Sequence, residues 1–186
     1  MRNVLSYTSK REKLVNEMIA NAIRYNLDGI NVDVEKITSE GGVHFIQFIR
    51  ELSIKCRNNK IVLSIDNYVP MPYSMYYDRE EQGIVADYVI TMAYDEHHGS
   101  SEVSGSVSSV DYVLNGTVNT MKEVPAEKTI TAIPFYTRLW EEVTEDESVK
   151  VSSKSYGMNG IDTILKDNGV EPVWDDKTKQ YYAEFT

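Results

Sequence analysis

Along the first two-thirds of the chain, apolar positions alternate between a helical period and a period of two, predicting a helix–strand series. Leu14, Met18, Ala22 and Ile23 share a helical face behind Ser9-Lys10-Arg11-Glu12, which has the spacing of a capping box. A helix is expected there, closed by Asn26, and a strand over residues 27–35. Phe45, Phe48, Ile49, Leu52 and Cys56 form the apolar face of a second helix over residues 43–57. Asn58-Asn59 turns the chain into a strand at 61–65, and Pro70 and Pro72 mark the loop that follows. A short helix near 78–83 and a strand at 88–94 come next. A loop rich in Gly and Ser, 98–109, leads to a helix ending near Val124 and a strand at 128–136.

Helices alternating with strands imply right-handed parallel crossovers, so the fold class is α/β. Four such strands fit an open doubly wound sheet or part of a barrel. No glycine-rich phosphate loop follows any strand, which weakens the nucleotide-binding version. After Trp140 the pattern changes. Residues 141–150 are acidic, 156–168 read as a short helix closed by Gly169, and 170–174 and 180–185 as short strands around Asp175-Asp176-Lys177-Thr178. Residues 1–140 are therefore expected to form the α/β domain, and 141–186 an inserted or appended α+β lobe.

Composition narrows the partners. The 29 acidic against 19 basic residues give a net charge of −10, a surface that repels phosphate backbones, so no nucleic-acid partner is expected. No run of about 18 apolar residues predicts a membrane span. The segment Met1-Arg2-Asn3-Val4-Leu5-Ser6 lacks the apolar core of a signal peptide, which leaves the compartment open. Cys56 is the single cysteine, which excludes an internal disulfide and any multi-cysteine metal site, and its place on an apolar face predicts a core filler. His97 and His98 are adjacent in a loop and the third histidine, His44, lies on a helix, so no metal site is expected.

The chemistry concentrates in Leu27-Asp28-Gly29-Ile30-Asn31-Val32-Asp33-Val34-Glu35. Side chains alternate along a strand, so Ile30, Val32 and Val34 point one way and Asn31, Asp33 and Glu35 the other. Two carboxylates about 7 Å apart at their Cα atoms can bring their side chains together. Like charges that close resist ionising together, which keeps a proton available for donation, as acetal cleavage requires.

The same residues carry a resemblance. Asp28-Gly29-Ile30-Asn31-Val32-Asp33-Val34-Glu35 resembles the Asp-x-x-Asp-x-Asp-x-Glu signature of family 18 glycoside hydrolases, with Asn31 in place of the second acid. Met92-Ala93-Tyr94-Asp95 matches the family's Met-x-Tyr-Asp element, and residues 133–140, ending Tyr136-Thr137-Arg138-Leu139-Trp140, look like its next barrel strand. Within the family, the Gly-Ile-Asn-Val-Asp form is most similar to bacterial N-acetylglucosaminidases of spore and cell-wall type. The resemblance implies a partial (β/α)8 TIM barrel, about strands 4–7, with a small α+β insertion lobe. It implies substrate-assisted, retaining cleavage of β-1,4 bonds next to N-acetylglucosamine in peptidoglycan or chitin, without a cofactor. Glu35 would be the general acid, Asp33 would orient the 2-acetamido group, and Tyr94 would hydrogen-bond it. Asp95, Met92, Asn31, Tyr136, Arg138 and Trp140 would line the sugar site, and Asp28 would brace the strand end. An amide at position 31 can still hydrogen-bond Asp33 but cannot hold a proton between two carboxylates.

A full barrel needs eight strands and typically ~250 residues, so a four-strand piece is expected to self-associate through its edges. The implied setting is a cell wall, a spore coat or the exterior. Two other classes remain open: a barrel descendant that binds glycan without cutting it, and a fold kept for assembly alone.

Overall fold

The computed structural model describes residues 2–145 and 148–186; Asp146 and Glu147 of the acidic stretch lie outside the described residues. The chain divides into two compact units. The first comprises Met1–Met92 and Gly116–Thr131, the second Ala93–Asn115 and Ala132–Thr186.

The first unit opens with α1 (Arg2–Leu5) and α2 (Thr8–Arg24), followed by β1 (Gly29–Val32), α3 (Ser39–Asn58) and β2 (Val62–Tyr68). A 3-10 turn (Pro72–Tyr77), α4 (Arg79–Val85) and β3 (Tyr88–Met92) complete its N-terminal run. Helix α5 (Val110–Thr120) and strand β4 (Thr129–Ala132) come later in the chain. The sheet order is β1-β2-β3-β4, with β1 parallel to β2 and β2 parallel to β3. The expected α/β class and parallel crossovers are therefore observed, while the strands are re-bounded. β1 is shorter than residues 27–35, and β2 runs three residues beyond 65.

The core forms where the periodicity places it. Phe45, Phe48, Ile49, Leu52 and Cys56 of α3 are buried with Val32 of β1 and Leu63 and Ile65 of β2. Burial pushes the Cys56 thiol up to about 11, so it stays a neutral core filler. Gly42 lets α3 approach the 3-10 turn, because a Cβ there would lie 2.6 Å from the Tyr76 carbonyl oxygen.

Helix α2 departs from expectation at its start. Its N-cap is Tyr7, without a side-chain bond, and Ser9 and Glu12 are exposed inside the helix rather than closing a capping box. The start is set instead by Arg11, whose backbone N–H donates to the Tyr7 carbonyl. The Arg11 side chain is buried, donates to Leu5 O at 2.7 Å and pairs with Glu51 at 3.0 Å. That anchor rotates the helix, so Val15, Ile19 and Ala22 are sealed in and Ile23 faces out.

Two threonine pairs tie α5 into the sheet, Thr91 with Thr120 and Thr117 with Thr131, each at 2.8 Å. The Lys128 ammonium donates to the carbonyls of Gly83 and Ala86 at 2.8 and 2.9 Å, satisfying the C-terminal end of α4.

The second unit contains the hairpin β5 (Tyr136–Glu145) and β6 (Ser148–Gly157), helix α6 (Met158–Asp167), and the short hairpin β7 (Val173–Asp175) and β8 (Gln180–Tyr182). Both strand pairs are antiparallel. The expected strand 128–136 thus ends at Ala132, and Tyr136 opens a separate ribbon that the hydrophobic pattern did not predict. Pro134 explains the break: it has no N–H to continue a ladder. Helix α6 ends as expected, with Gly169 at φ 64° and Val170 N–H donating to Leu165 O at 3.0 Å.

Candidate active site

In the first unit, the polar face of β1 meets the polar face of β2. Asn31 pairs in register with Ser64, and Val32 with Ile65. Alternation then presents Asn31, Asp33 and Glu35 as exposed groups, while Val32 is buried and Ile30 and Val34 pack against the core. On β2 the same alternation brings Ser64, Asp66 and Tyr68 beside them and turns Leu63, Ile65 and Asn67 inward. The Asn31 amide nitrogen donates to Ser64 Oγ at 3.0 Å and to Asp66 Oδ1 at 3.1 Å. Both amide hydrogens thus reach across to β2, because the strand register sets Ser64 directly opposite Asn31.

Glu35 is held from β2: the Tyr68 hydroxyl donates to its Oε2 at 2.9 Å. Burial, reinforced by the bond to Glu35, pushes the Tyr68 phenol above its ordinary range, so it remains a neutral donor. The Tyr68 ring stacks edge-on against Tyr73 and Tyr77, with centroids 6.2 and 5.8 Å away. Tyr77, fully buried, donates through its hydroxyl to Val34 O at 2.9 Å and so fixes the backbone that carries Glu35. Asn67 and Gln82 exchange two buried amide bonds, at 2.7 and 3.1 Å, beneath this surface. Asn67 therefore serves packing, whereas Asp66 joins the exposed polar face. Burial raises the Asp66 carboxyl above the usual carboxylate range, the Asn31 bond opposes that, and the charge of Asp33 adds to it. Asp28 is exposed just before β1, and its carbonyl accepts from Val62 N–H at 2.9 Å. Met92, buried, ends β3.

The second unit gathers Tyr94, Asp95, Tyr136 and Arg138. Asp95 Oδ1 accepts from the Tyr136 hydroxyl at 2.7 Å and from Arg138 Nη2 at 3.1 Å. Its backbone is left-handed, at φ 56°, a strained conformation that turns the carboxylate. Burial and the bond to Asp95 push the Tyr136 phenol upward. The Tyr94 and Tyr136 rings meet edge-on at 6.3 Å. Trp140 is partly buried and donates through Nε1 to Gly105 O at 3.0 Å, which ties β5 to the preceding loop. The His97 imidazole lies over Gly105, with Nδ1 2.8 Å from Ser106 O, and His98 Nδ1 accepts from Ser100 N–H at 3.2 Å. Both histidines thus shape this loop. Among the described residues, no group of three His, Cys, Asp or Glu side chains could hold a metal ion. Trp174 is 46% exposed and leans on Tyr181 at 5.1 Å. A three-residue hairpin strand buries too little to seal it.

The bond from Tyr68 to Glu35 is a feature of the carboxylate face that the strand pattern left unresolved. Its signal was the alternation Ser64-x-Asp66-x-Tyr68, hidden while the strand was expected to end at residue 65.

Known proteins resemble this chain in sequence and in fold. A glycosylase of uncharacterised role from Bacillus subtilis (strain 168), YvbX, is 26% identical over 185 residues, covering 94% of this chain and 51% of its own length. YdhD of the same organism, described as a putative sporulation-specific glycosylase, is 29% identical over 173 residues, covering 89% of this chain and 40% of its own. The crystal structure of YdhD superposes with a TM-score of 0.86 at 21% identity, over 97% of this chain and 60% of that one. A family 18 chitinase from Cycas revoluta, crystallised with (GlcNAc)4, gives 0.84 at 20% identity, over 98% of this chain and 61% of its own. The chain spans about half the length of the curated relatives it matches. The model of Glycosyl hydrolases family 18 matches residues 2–186, and the chain belongs to that family.

Proposed function

We propose that this chain carries the carboxylate machinery of a glycosidase that cleaves β-1,4 bonds next to N-acetylglucosamine, in peptidoglycan or chitin. The observation that carries this reading is the segment just past the C-terminal end of β1, where Asp33 and Glu35 stand exposed while Val32 is sealed into the core. Two acids side by side on one exposed face give a ligand a proton donor and a negative charge within reach of each other. Glu35 is the general acid that protonates the leaving oxygen and later the base for water. Asp33 orients the 2-acetamido group, whose carbonyl oxygen attacks the anomeric carbon, so no enzyme nucleophile is needed. The matching motif gives Tyr94 the acetamide hydrogen bond. Asp95, Tyr136 and Arg138 form a polar set of the kind that binds sugar hydroxyls, and Met92, Asn31, Asp28 and Trp140 keep supporting roles. Two B. subtilis relatives called glycosylases and a chitinase bound to (GlcNAc)4 support this substrate class.

In this reading, β1 to β4 correspond to strands 4–7 of an eight-stranded barrel. The proposed sites of action are a cell wall, a spore coat or the exterior. Among the described residues, β1 and β4 are the edges of an open sheet, which favours self-association.

The test is release of reducing ends from peptidoglycan and from chitin oligomers by the wild type and Glu35→Gln. Loss of general acid catalysis lowers the rate by about 10²–10⁴-fold. Turnover in the wild type that drops by that factor in the variant supports the hydrolase. Glycan binding with no turnover in either protein favours a barrel descendant that binds glycan without cutting it.

A further inference from the structure

Asn31 stands where the family signature has a carboxylate, and its amide has two hydrogens to donate. Both are engaged, one by Ser64 Oγ at 3.0 Å and one by Asp66 Oδ1 at 3.1 Å. Nothing at position 31 is left to give Asp33 a hydrogen. Asp66 is the half-buried acid on the next strand. Val32 and Ile65 are the last register pair of β1 and β2, and Asp33 and Asp66 are the residues that directly follow them on the two adjacent chain segments.

We propose that Asp66 is the carboxyl group with which Asp33 shares a proton, so that the acid missing at position 31 is supplied from the neighbouring strand. Asp66 is a positioning residue: it acts through Asp33 and not on the sugar, and its role rests on the hydrolase reading above. The pair holds one proton and one negative charge. Asn31 pins Asp66 Oδ1, and Oδ2 carries the shared proton. When the acetamide N–H donates to Asp33, that proton resides on Asp66 and Asp33 bears the charge.

The surroundings fit such a pair. Asp66 accepts from Asn31 of β1 and feels the charge of Asp33, just past the end of β1; on its own strand it is flanked by Ser64 and Tyr68. Its register partner on β3 is the uncharged Ile90. Burial and the charge of Asp33 both favour the protonated form of Asp66, against the pull of the Asn31 amide. Tyr68 meanwhile engages Glu35, which keeps the general acid separate from the proton-sharing pair.

The deciding measurement is an NMR pH titration of the aspartate carboxyl carbons in the full chain, in the wild type and in Asp33→Asn. The expected result is an Asp66 midpoint above the ordinary aspartate range that moves down in Asp33→Asn, where burial is retained and the neighbouring charge is gone. An Asp66 midpoint unmoved by Asp33→Asn overturns the proposal. This readout needs no turnover, so it stands apart from failure of the hydrolase reading, which Glu35→Gln reports. With turnover in hand, Asp66→Asn should displace the acidic limb of the kcat/KM profile, and Asn31→Asp in that background should return it. A profile unchanged in Asp66→Asn also overturns the assignment.

Discussion

In the first unit, Phe45, Ile49 and Leu52 of α3 are sealed with Leu63 and Ile65 of β2, whereas in the second unit α6 buries none of its residues. The long hairpin of the second unit is likewise only partly covered along its described length. What orders the second unit is hydrogen bonding: the Trp140 indole on Gly105 O, the ladder from Tyr136–Gly157 to Glu145–Ser148, and the Asp175 turn. One unit is stabilised by apolar area removed from water, the other by many individually modest hydrogen bonds. The contrast bears on the proposed site, because Asp33 and Glu35 follow a strand of the apolar-packed unit, while Asp95, Tyr136 and Arg138 belong to the hydrogen-bonded one.

The largest break in that contrast should come from Phe45→Ala. Emptying this buried site is expected to cost about 3–5 kcal/mol, read as a lower urea midpoint. A cost under about 1 kcal/mol would mean that the helix–sheet core is not what holds the first unit. Trp140→Phe removes the indole bond to Gly105 and keeps most of the ring, so a loss of about 0.5–1.5 kcal/mol is expected. If it instead matched Phe45→Ala, the second unit would rest on aromatic packing.

The smallest effect concerns pH. The Thr178 hydroxyl and then the Lys177 and Thr178 N–H groups hold the Asp175 carboxyl below its ordinary value. A depressed folded value stabilises the turn above the unfolded value of about 3.9 and loses that contribution as pH falls through the folded one. Amide exchange at Lys177 and Thr178 should therefore accelerate in acid beyond its intrinsic rate, and Asp175→Ala should remove the difference. Unchanged protection in that variant would assign the turn to the β7–β8 ladder instead.

Much of the first unit was legible residue by residue. The face Phe45, Phe48, Ile49, Leu52, Cys56 predicted α3, and the alternation of Asn31, Asp33 and Glu35 predicted which side chains of β1 and the segment after it are exposed. The start of α2 was not legible, because a buried arginine salt-bridged to a residue 40 positions away outweighs a capping-box spacing. Neither was the β5–β6 ribbon. Its stretch of Glu and Ser carries no apolar stripe, and its partners are found only by antiparallel pairing.

What the sequence by itself determined is what depends on a residue's near neighbours: helix faces, strand alternation, the stop at Gly169 and the acids at the end of β1. The tertiary structure decided what depends on register. Ser64 and Asp66 lie 33 and 35 residues from Asn31, and only the pairing of β1 with β2 makes them its hydrogen-bond partners. A register shift of one residue would turn Asp66 and Tyr68 into the core and leave Glu35 unsupported. The period of two is a local property of the backbone, but the choice of partner is a property of the whole packed sheet.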